Sequence, residues 1–120
     1  MDDEPKLKVK FFRTPNGKEP VREWLSDPKK VKPEDRKAIG VDIKTVQYGW
    51  PMGMPIVRKL ESDLWEVHSV ISAGIARVMF TIQGNSMVLL HGFIKKDQKT
   101  PKDDLDLARD RKTFVQRGEK

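Results

Sequence analysis

The sequence predicts a single small α+β domain: an N-terminal strand, two helices, an antiparallel sheet of three to four further strands, and a C-terminal helix. Three observations predict it. Apolar residues recur at helical spacing between residues 33 and 46, apolar runs alternate with short turns between 57 and 94, and a proline-led segment with inward apolar positions follows residue 100. With 120 residues and no linker or repeat, the whole chain reads as one domain with its core at about 7–112.

The N-terminal third predicts one strand and two helices. Residues 7–12 alternate between apolar and polar side chains, and the turn residues of segment 14–17 follow. Pro20 is suited to the start of a short helix, and Pro33 opens a longer one in which acidic residues occupy the first turn. The Gly- and Pro-rich segment 49–55 cannot continue a helix, so we predict a loop there.

The rest of the chain predicts a meander followed by a helix. Strand-like runs rich in Val, Ile and Leu occupy residues 57–60, 64–71, 75–82 and 87–94. Because the last three runs are separated by only a few turn residues, they must pair antiparallel. Thr100 can cap the final helix, with Pro101 in its first turn and Asp103 closing a capping box.

Composition narrows the possible functions. Lys and Arg total 24 against 18 Asp and Glu, which gives a formal net charge of +6 and favours a phosphate-bearing partner. The absence of Cys excludes disulfides, thiolate zinc sites and a Cys nucleophile, and with only two His we predict no metal and no cofactor. The acidic N-terminus is unlike a signal peptide and no apolar run is long enough to span a bilayer, so we predict a cytoplasmic protein without a membrane partner.

Strand alternation places the candidate polar residues together. The even positions of the run 75–82 are all apolar and should face the core, so Arg77 points to the opposite face. Glu66 and His68 share one face of the preceding strand, and a hairpin between the two strands brings His68 to the same side as Arg77. We therefore predict a helix-free, cationic sheet face, which carries Arg58 or Lys59, His68, Arg77, Lys95 and Lys96.

Such a face suits the chemistry of RNA phosphate. Arg grips phosphate with two hydrogen bonds, Lys supplies point charge, and His exchanges a proton near neutral pH. No Gly-rich phosphate loop and no paired carboxylates compete with this interpretation. If the protein is an enzyme, the reaction that remains possible is metal-free cleavage of a phosphodiester through the RNA 2′-OH. His91 lies in an apolar strand, so we prefer a core histidine to a catalytic one there.

Several segments together resemble a known toxin family. They are Arg58-Lys59-Leu60-Glu61, Leu64-Trp65-Glu66-Val67-His68, Ile75-Ala76-Arg77-Val78-Met79-Phe80, Leu89-Leu90-His91-Gly92-Phe93-Ile94-Lys95-Lys96 and Lys99-Thr100-Pro101. In order and pattern they are similar to the phage-derived, HigB-like branch of the RelE/HigB toxin superfamily over roughly residues 7–112. The resemblance implies a RelE-like fold and a metal-independent endoribonuclease that cuts messenger RNA in the ribosomal A site.

The resemblance also implies partners and roles. The partners are messenger RNA, the ribosome and a cognate antitoxin, commonly of helix-turn-helix type, in a toxin–antitoxin hetero-oligomer. The expected catalytic residues are Arg77, His68 and Lys96, and the expected RNA-binding residues are Arg58, Lys59, Lys95 and Lys99. Members of this branch commonly carry Arg where this chain has His68, and some use a Tyr or His near the end of the last strand, whereas the single Tyr here is Tyr48.

These departures leave other function classes open. One alternative is a non-catalytic nucleic-acid- or ribosome-binding regulator derived from a toxin, which would show steep salt dependence without a cleaved product. A module that binds another protein through the sheet face is a third class, and it would require more exposed apolar area.

Overall fold

A computed structural model describes residues 4–95 and 99–118 of the chain. Within these residues it contains five strands and three α-helices, so the predicted α+β class and order of elements are confirmed. They are β1 (Lys8–Phe11), α1 (Pro20–Ser26), α2 (Pro33–Gly49), β2 (Val57–Glu61), β3 (Leu64–Ile71), β4 (Gly74–Gln83), β5 (Ser86–Lys95) and α3 (Lys102–Gln116). In the part of the chain so described, no helix combines the length and the apolar character that crossing a bilayer requires.

The five strands form one mixed sheet in the order β1-β5-β4-β3-β2. Strands β2 to β5 pair antiparallel, as the short turns between them require. Strand β1 pairs parallel to β5, from Lys8 opposite Ser86 to Phe11 opposite Leu89. This parallel pairing joins strands that are far apart in the chain, so no local turn residue could have predicted it.

The larger core lies between the sheet and the first two helices. Val21 of α1 and Ile39 and Val46 of α2 are buried against inward-facing residues of the sheet such as Val67 and Phe80. Three aromatic rings close one side of this core: the ring centroid of Trp50 lies 5.1 Å from that of Trp65 and 5.6 Å from that of Phe80, edge to face in both cases. The even positions of β4 face this core, as predicted.

The opposite face of the sheet is covered by α3, so the predicted helix-free face is wrong. Ala108 of α3 is fully buried in a second apolar cluster with Leu64, Met79 and Leu90. The physical reason lies in the central strands: β4 and β5 carry apolar residues on both faces, and an uncovered second face would leave that area in water.

Polar contacts fix the far end of α3 to the β2–β3 hairpin. Arg109 Nη2 lies 2.7 Å from Glu61 Oε1, and Lys112 Nζ lies 3.4 Å from Glu61 Oε2. The hydrogen bond from Arg109 holds the pKa of Glu61 below its ordinary value. Lys112 Nζ also donates to the Ser62 carbonyl oxygen at 3.0 Å. The helix therefore bridges from β5 across the sheet to the β2–β3 turn.

The predicted side-chain cap of the last helix is wrong. The helix begins at Lys102 with Pro101 as its N-cap residue, and no side chain makes a capping hydrogen bond there. The Thr100 hydroxyl donates instead to Glu66 Oε2 at 3.2 Å. A contact with the sheet has replaced the local cap, because Thr100 lies beside a buried carboxylate.

Gly92 is required by the packing of α1 on the sheet. A Cβ atom added at Gly92 would lie 2.4 Å from Cζ3 of Trp24, well inside van der Waals contact. We expect Gly92→Ala to lower the free energy of unfolding by about 1–3 kcal/mol because the indole must move. Gly40→Ala, in an open position of α2, should raise it by up to about 1 kcal/mol. Urea denaturation of both variants checks the pair; equal effects would contradict this packing.

Candidate functional site

The structure brings His68 and Arg77 together, as the alternation of β3 and β4 predicts. His68 lies directly opposite Arg77 in the β3–β4 register. Phe93 lies opposite Arg77 on its other side, in β5. Side chains at directly opposed positions share one face of a sheet, so these three residues form a row across it. The row lies on the α3 side of the sheet.

A buried carboxylate organises this row. Glu66 Oε1 accepts hydrogen bonds from His68 Nε2 at 2.6 Å and from Arg77 Nη1 at 3.1 Å, and Glu66 Oε2 accepts the one from Thr100. The side chains of Glu66 and Arg77 are fully buried, and that of His68 is 8% exposed. We call Glu66, His68, Arg77 and Thr100 the Glu66 cluster. It is a buried polar network in which one anion holds one permanent cation and one imidazole.

The predicted exposed position of Arg77 is therefore wrong. The side is as predicted, but α3 and Thr100 just before it cover that side, and Arg77 pairs with Glu66 instead of facing solvent. A guanidinium is stable at such depth only with an anionic partner, which Glu66 supplies. In this arrangement Arg77 positions Glu66, and through Glu66 it positions His68.

His68 links the Glu66 cluster to an open cleft. A cleft of about 460 Å³ is lined by residues of α2, of the loop before β2 and of β3, which include Ala38, Val41, Ile56, His68 and Val70. Because Nε2 is hydrogen-bonded to the Glu66 carboxylate, Nδ1 is the ring nitrogen that can accept a proton from another group. The arrangement matches that of a general base held by a carboxylate.

The predicted RNA-binding cations do not all share this face. Arg58 lies opposite Glu66 in the register, so it is on the side of the Glu66 cluster. Lys59, one residue later, points to the other face, where its Nζ lies 6.0 Å from the Trp65 ring centroid. Since the side chains of neighbouring strand residues point to opposite faces, only one of the two can lie on the predicted face. That residue is Arg58, and Lys59 lies on the opposite face.

The remaining predicted cations lie at the end of β5 and between β5 and α3. Lys95 lies opposite Ile75, on the same side as Phe93, and Lys99 is exposed just before α3. Lys96, the third predicted catalytic residue, lies outside the described residues. Arg58, Lys95 and Lys99 are thus the predicted cations that the described structure keeps near the row of His68 and Arg77.

The structure also pairs the second histidine with a carboxylate. His91 Nε2 lies 2.6 Å from Asp104 Oδ1 of α3, and the His91 ring stacks on Phe93 with centroids 5.7 Å apart. The His91 and Asp104 side chains are 17% and 26% exposed, so the histidine that we expected in the core is hydrogen-bonded but only partly buried. Sequence reasoning missed Asp104 because it placed no helix on this face. In the described ranges, no three His, Asp or Glu side chains cluster as a metal site would need.

A known protein family matches the greater part of the chain. No curated protein matches the chain. A family model described as "Phage derived protein Gp49-like (DUF891)" matches residues 25–113, which extend from α1 through all four antiparallel strands and most of α3. The matched segment includes every residue of the Glu66 cluster as well as His91 and Asp104. The chain belongs to the Gp49-like family of phage-derived proteins.

Proposed function

We propose that this protein is a toxin of the RelE/HigB type that cuts messenger RNA on the ribosome without a metal ion. Membership of the Gp49-like family, a toxin-like family, supports the toxin part of the proposal. The net charge of +6 supports a nucleic-acid substrate. The observation that carries the catalytic part is the hydrogen bond between His68 and the buried Glu66 at the lining of an open cleft.

The proposed reaction uses the RNA's own nucleophile. His68 Nδ1 takes the proton of a ribose 2′-OH, and the 2′ oxygen attacks the adjacent phosphorus. A P–O2′ bond forms as the P–O5′ bond breaks, which leaves a 2′,3′-cyclic phosphate and a 5′-hydroxyl. The leaving oxygen takes a proton from a second group, for which Lys96 stays the predicted residue. Glu66 stabilises the imidazolium that His68 becomes, as a carboxylate does for a catalytic histidine.

Cations on β2, at the end of β5 and just before α3 would bind the RNA strand. Arg58, Lys95 and Lys99 supply positive charge around the Glu66 cluster, and phosphate contacts of this kind position a strand without reading its sequence. A cognate antitoxin, commonly of helix-turn-helix type, would neutralise the protein in the cytoplasm by forming a hetero-oligomer with it. These partners belong to the proposal and follow from the resemblance to RelE/HigB toxins.

One observation favours the non-catalytic alternative. Arg77, the cation expected to stabilise the reacting phosphate, is fully buried against Glu66. A protein that binds the ribosome or nucleic acid through its surface lysines alone would not need Arg77 at a reacting centre. Such a binder would arrest translation without cutting the message.

Induced expression separates the two functions. We expect growth arrest together with new messenger RNA ends, mapped by primer extension, that fall at one position within codons. This periodicity is expected because the ribosome sets the frame of the cut. Arrest without new ends would support the non-catalytic binder, and ends without codon periodicity would contradict ribosome dependence. A co-expressed helix-turn-helix protein from a neighbouring gene should relieve the arrest.

A further inference from the structure

A second cleft lies on the other side of β4 from His68. Strand β1 pairs with β5 only as far as Leu89, and beyond that point α1 and α3 approach β5 and leave a cleft of about 230 Å³. We call it the β5 cleft and define it by its lining residues: Pro20, Val21, Trp24, Lys30, His91, Gly92, Leu107 and Arg111. The reaction proposed above uses none of these residues.

Arg111 places a positive charge in the β5 cleft, and no carboxylate among the described residues neutralises it. Its Nη1 donates to the Leu90 carbonyl oxygen at 2.8 Å, and its guanidinium lies 5.4 Å from the Phe12 ring centroid. Among the described residues no carboxylate forms an ion pair with it, and burial lowers its pKa. A guanidinium nevertheless stays charged and has five N–H donors, of which the Leu90 contact uses one. A bound anion would offset the cost of burying this charge.

One further cation and one fixed ring nitrogen complete the polar lining of the β5 cleft. Lys30 supplies a second cation to the lining. His91 has its ring fixed by Asp104 on one edge and by Phe93 on one face, so it is held in a single orientation. With Nε2 engaged by Asp104, the ring keeps Nδ1 for a hydrogen bond to a ligand.

The β5 cleft also has a flat aromatic wall. Ring carbons of Trp24 approach the β5 backbone so closely at Gly92 that only glycine fits beneath them. An indole beside two cations and a fixed imidazole is the combination that binds a nucleotide, since the base contacts the ring and the phosphate contacts the cations. The volume is below the roughly 300–1,000 Å³ of pockets that hold drug-sized ligands, so one nucleotide unit is the upper limit.

We propose that the β5 cleft binds one phosphate-bearing nucleotide unit of single-stranded RNA. Arg111 and Lys30 contact the phosphate, His91 Nδ1 accepts a hydrogen bond from a ribose hydroxyl, and Trp24 contacts the sugar or base. Strand β4 separates this cleft from His68, so the unit bound here is not the one that is cut. The cleft anchors the strand at a distance from the scissile bond. This inference rests on the proposed function only in taking RNA as the ligand.

Binding of a mononucleotide tests the proposal without any cleavage. Uridine 5′-monophosphate is titrated into the full chain, and the Gly92 amide and Trp24 indole signals are followed by NMR. We expect saturable shifts of both signals, and at least about tenfold weaker binding of uridine, which lacks the phosphate. Lys30→Ala should weaken monophosphate binding about tenfold. Lys29→Ala removes a neighbouring exposed lysine that does not line the cleft, and it should leave binding unchanged.

Arg111 requires a paired test because its side chain also contacts the Leu90 carbonyl. Arg111→Lys keeps a positive charge and Arg111→Met removes it, so the monophosphate should bind more tightly to the first than to the second. If neither folds, the comparison of Lys30→Ala with Lys29→Ala decides alone. Absence of saturable shifts at Gly92 and Trp24, or equal weakening by both lysine variants, would overturn the proposal. His68 does not line the β5 cleft, so His68→Gln should bind the monophosphate as the wild type does. Nucleotide binding in this cleft can therefore be established even if the protein cuts no RNA.

Discussion

Arg77→Ala is expected to lower the free energy of unfolding by about 3–5 kcal/mol, the usual cost of removing one partner of a buried ion pair. The reason is the carboxylate left behind. Glu66 is fully buried and accepts a hydrogen bond from Arg77 Nη1, so the variant retains a desolvated anion with fewer donors. Urea denaturation at neutral pH measures the loss. A folded Arg77→Ala protein with wild-type stability would contradict the positioning role of Arg77.

The double variant Glu66→Gln/Arg77→Met is the matched control. It removes both charges and keeps side chains of similar length, so no unpaired charge is left in the protein interior. We therefore expect the double variant to be more stable than Arg77→Met alone. Together with the wild type and the Glu66→Gln single variant, these two proteins complete a double-mutant cycle that gives the coupling free energy between the two residues. Because Arg77 variants lose stability, loss of toxicity in them would not by itself identify a catalytic residue.

His68→Gln is expected to lower the rate of RNA cleavage by about 10²-fold or more, the contribution typical of general acid–base catalysis. The Gln amide can still donate to Glu66, so the Glu66 cluster keeps that hydrogen bond and the fold should change little. Only the ring nitrogen that accepts the 2′-OH proton is lost. Single-turnover cleavage of ribosome-bound messenger RNA measures the effect, with denaturation to show that the variant is folded.

Lys8→Ala is the control for the loss of one basic group. Lys8 is exposed on β1, the edge strand three positions from β3 in the sheet. It should cleave at the wild-type rate within about twofold, since surface charges away from a site contribute little. If His68→Gln and Lys8→Ala cleave equally well, His68 has no role in proton transfer.

Strand alternation predicted most of the row that contains His68. The two-residue period and the β3–β4 hairpin fix which side chains share a face, whereas the register that places His68 directly opposite Arg77 was left open by the sequence. The same alternation put Glu66 beside His68, although its role as the common acceptor was not predicted. Local patterns are reliable here because a slip of one residue would move all of β4's inward apolar residues out of the core.

The covering of that row could not be predicted by the same means. An apolar stripe shows that α3 packs on something, but it does not show which sheet face receives it. Ala108 packs against Met79 and Leu90, on the face that we predicted to be open. The burial of Arg77 and the pairing of His91 with Asp104 both follow from this one tertiary contact. They depend on residues that are distant in the sequence.

Replacing one 2′-hydroxyl of the message tests directly whether the protein cuts through the RNA 2′-OH. A ribosome-bound messenger RNA is prepared with a single 2′-deoxynucleotide on the 5′ side of a mapped cut, beside an all-ribose control. If the protein cuts through the RNA 2′-OH, cleavage at that position disappears while the other sites are cut normally, and the control yields a 2′,3′-cyclic phosphate end. Unchanged cleavage of the deoxy-substituted message would contradict the mechanism, because the attacking oxygen would then come from another source.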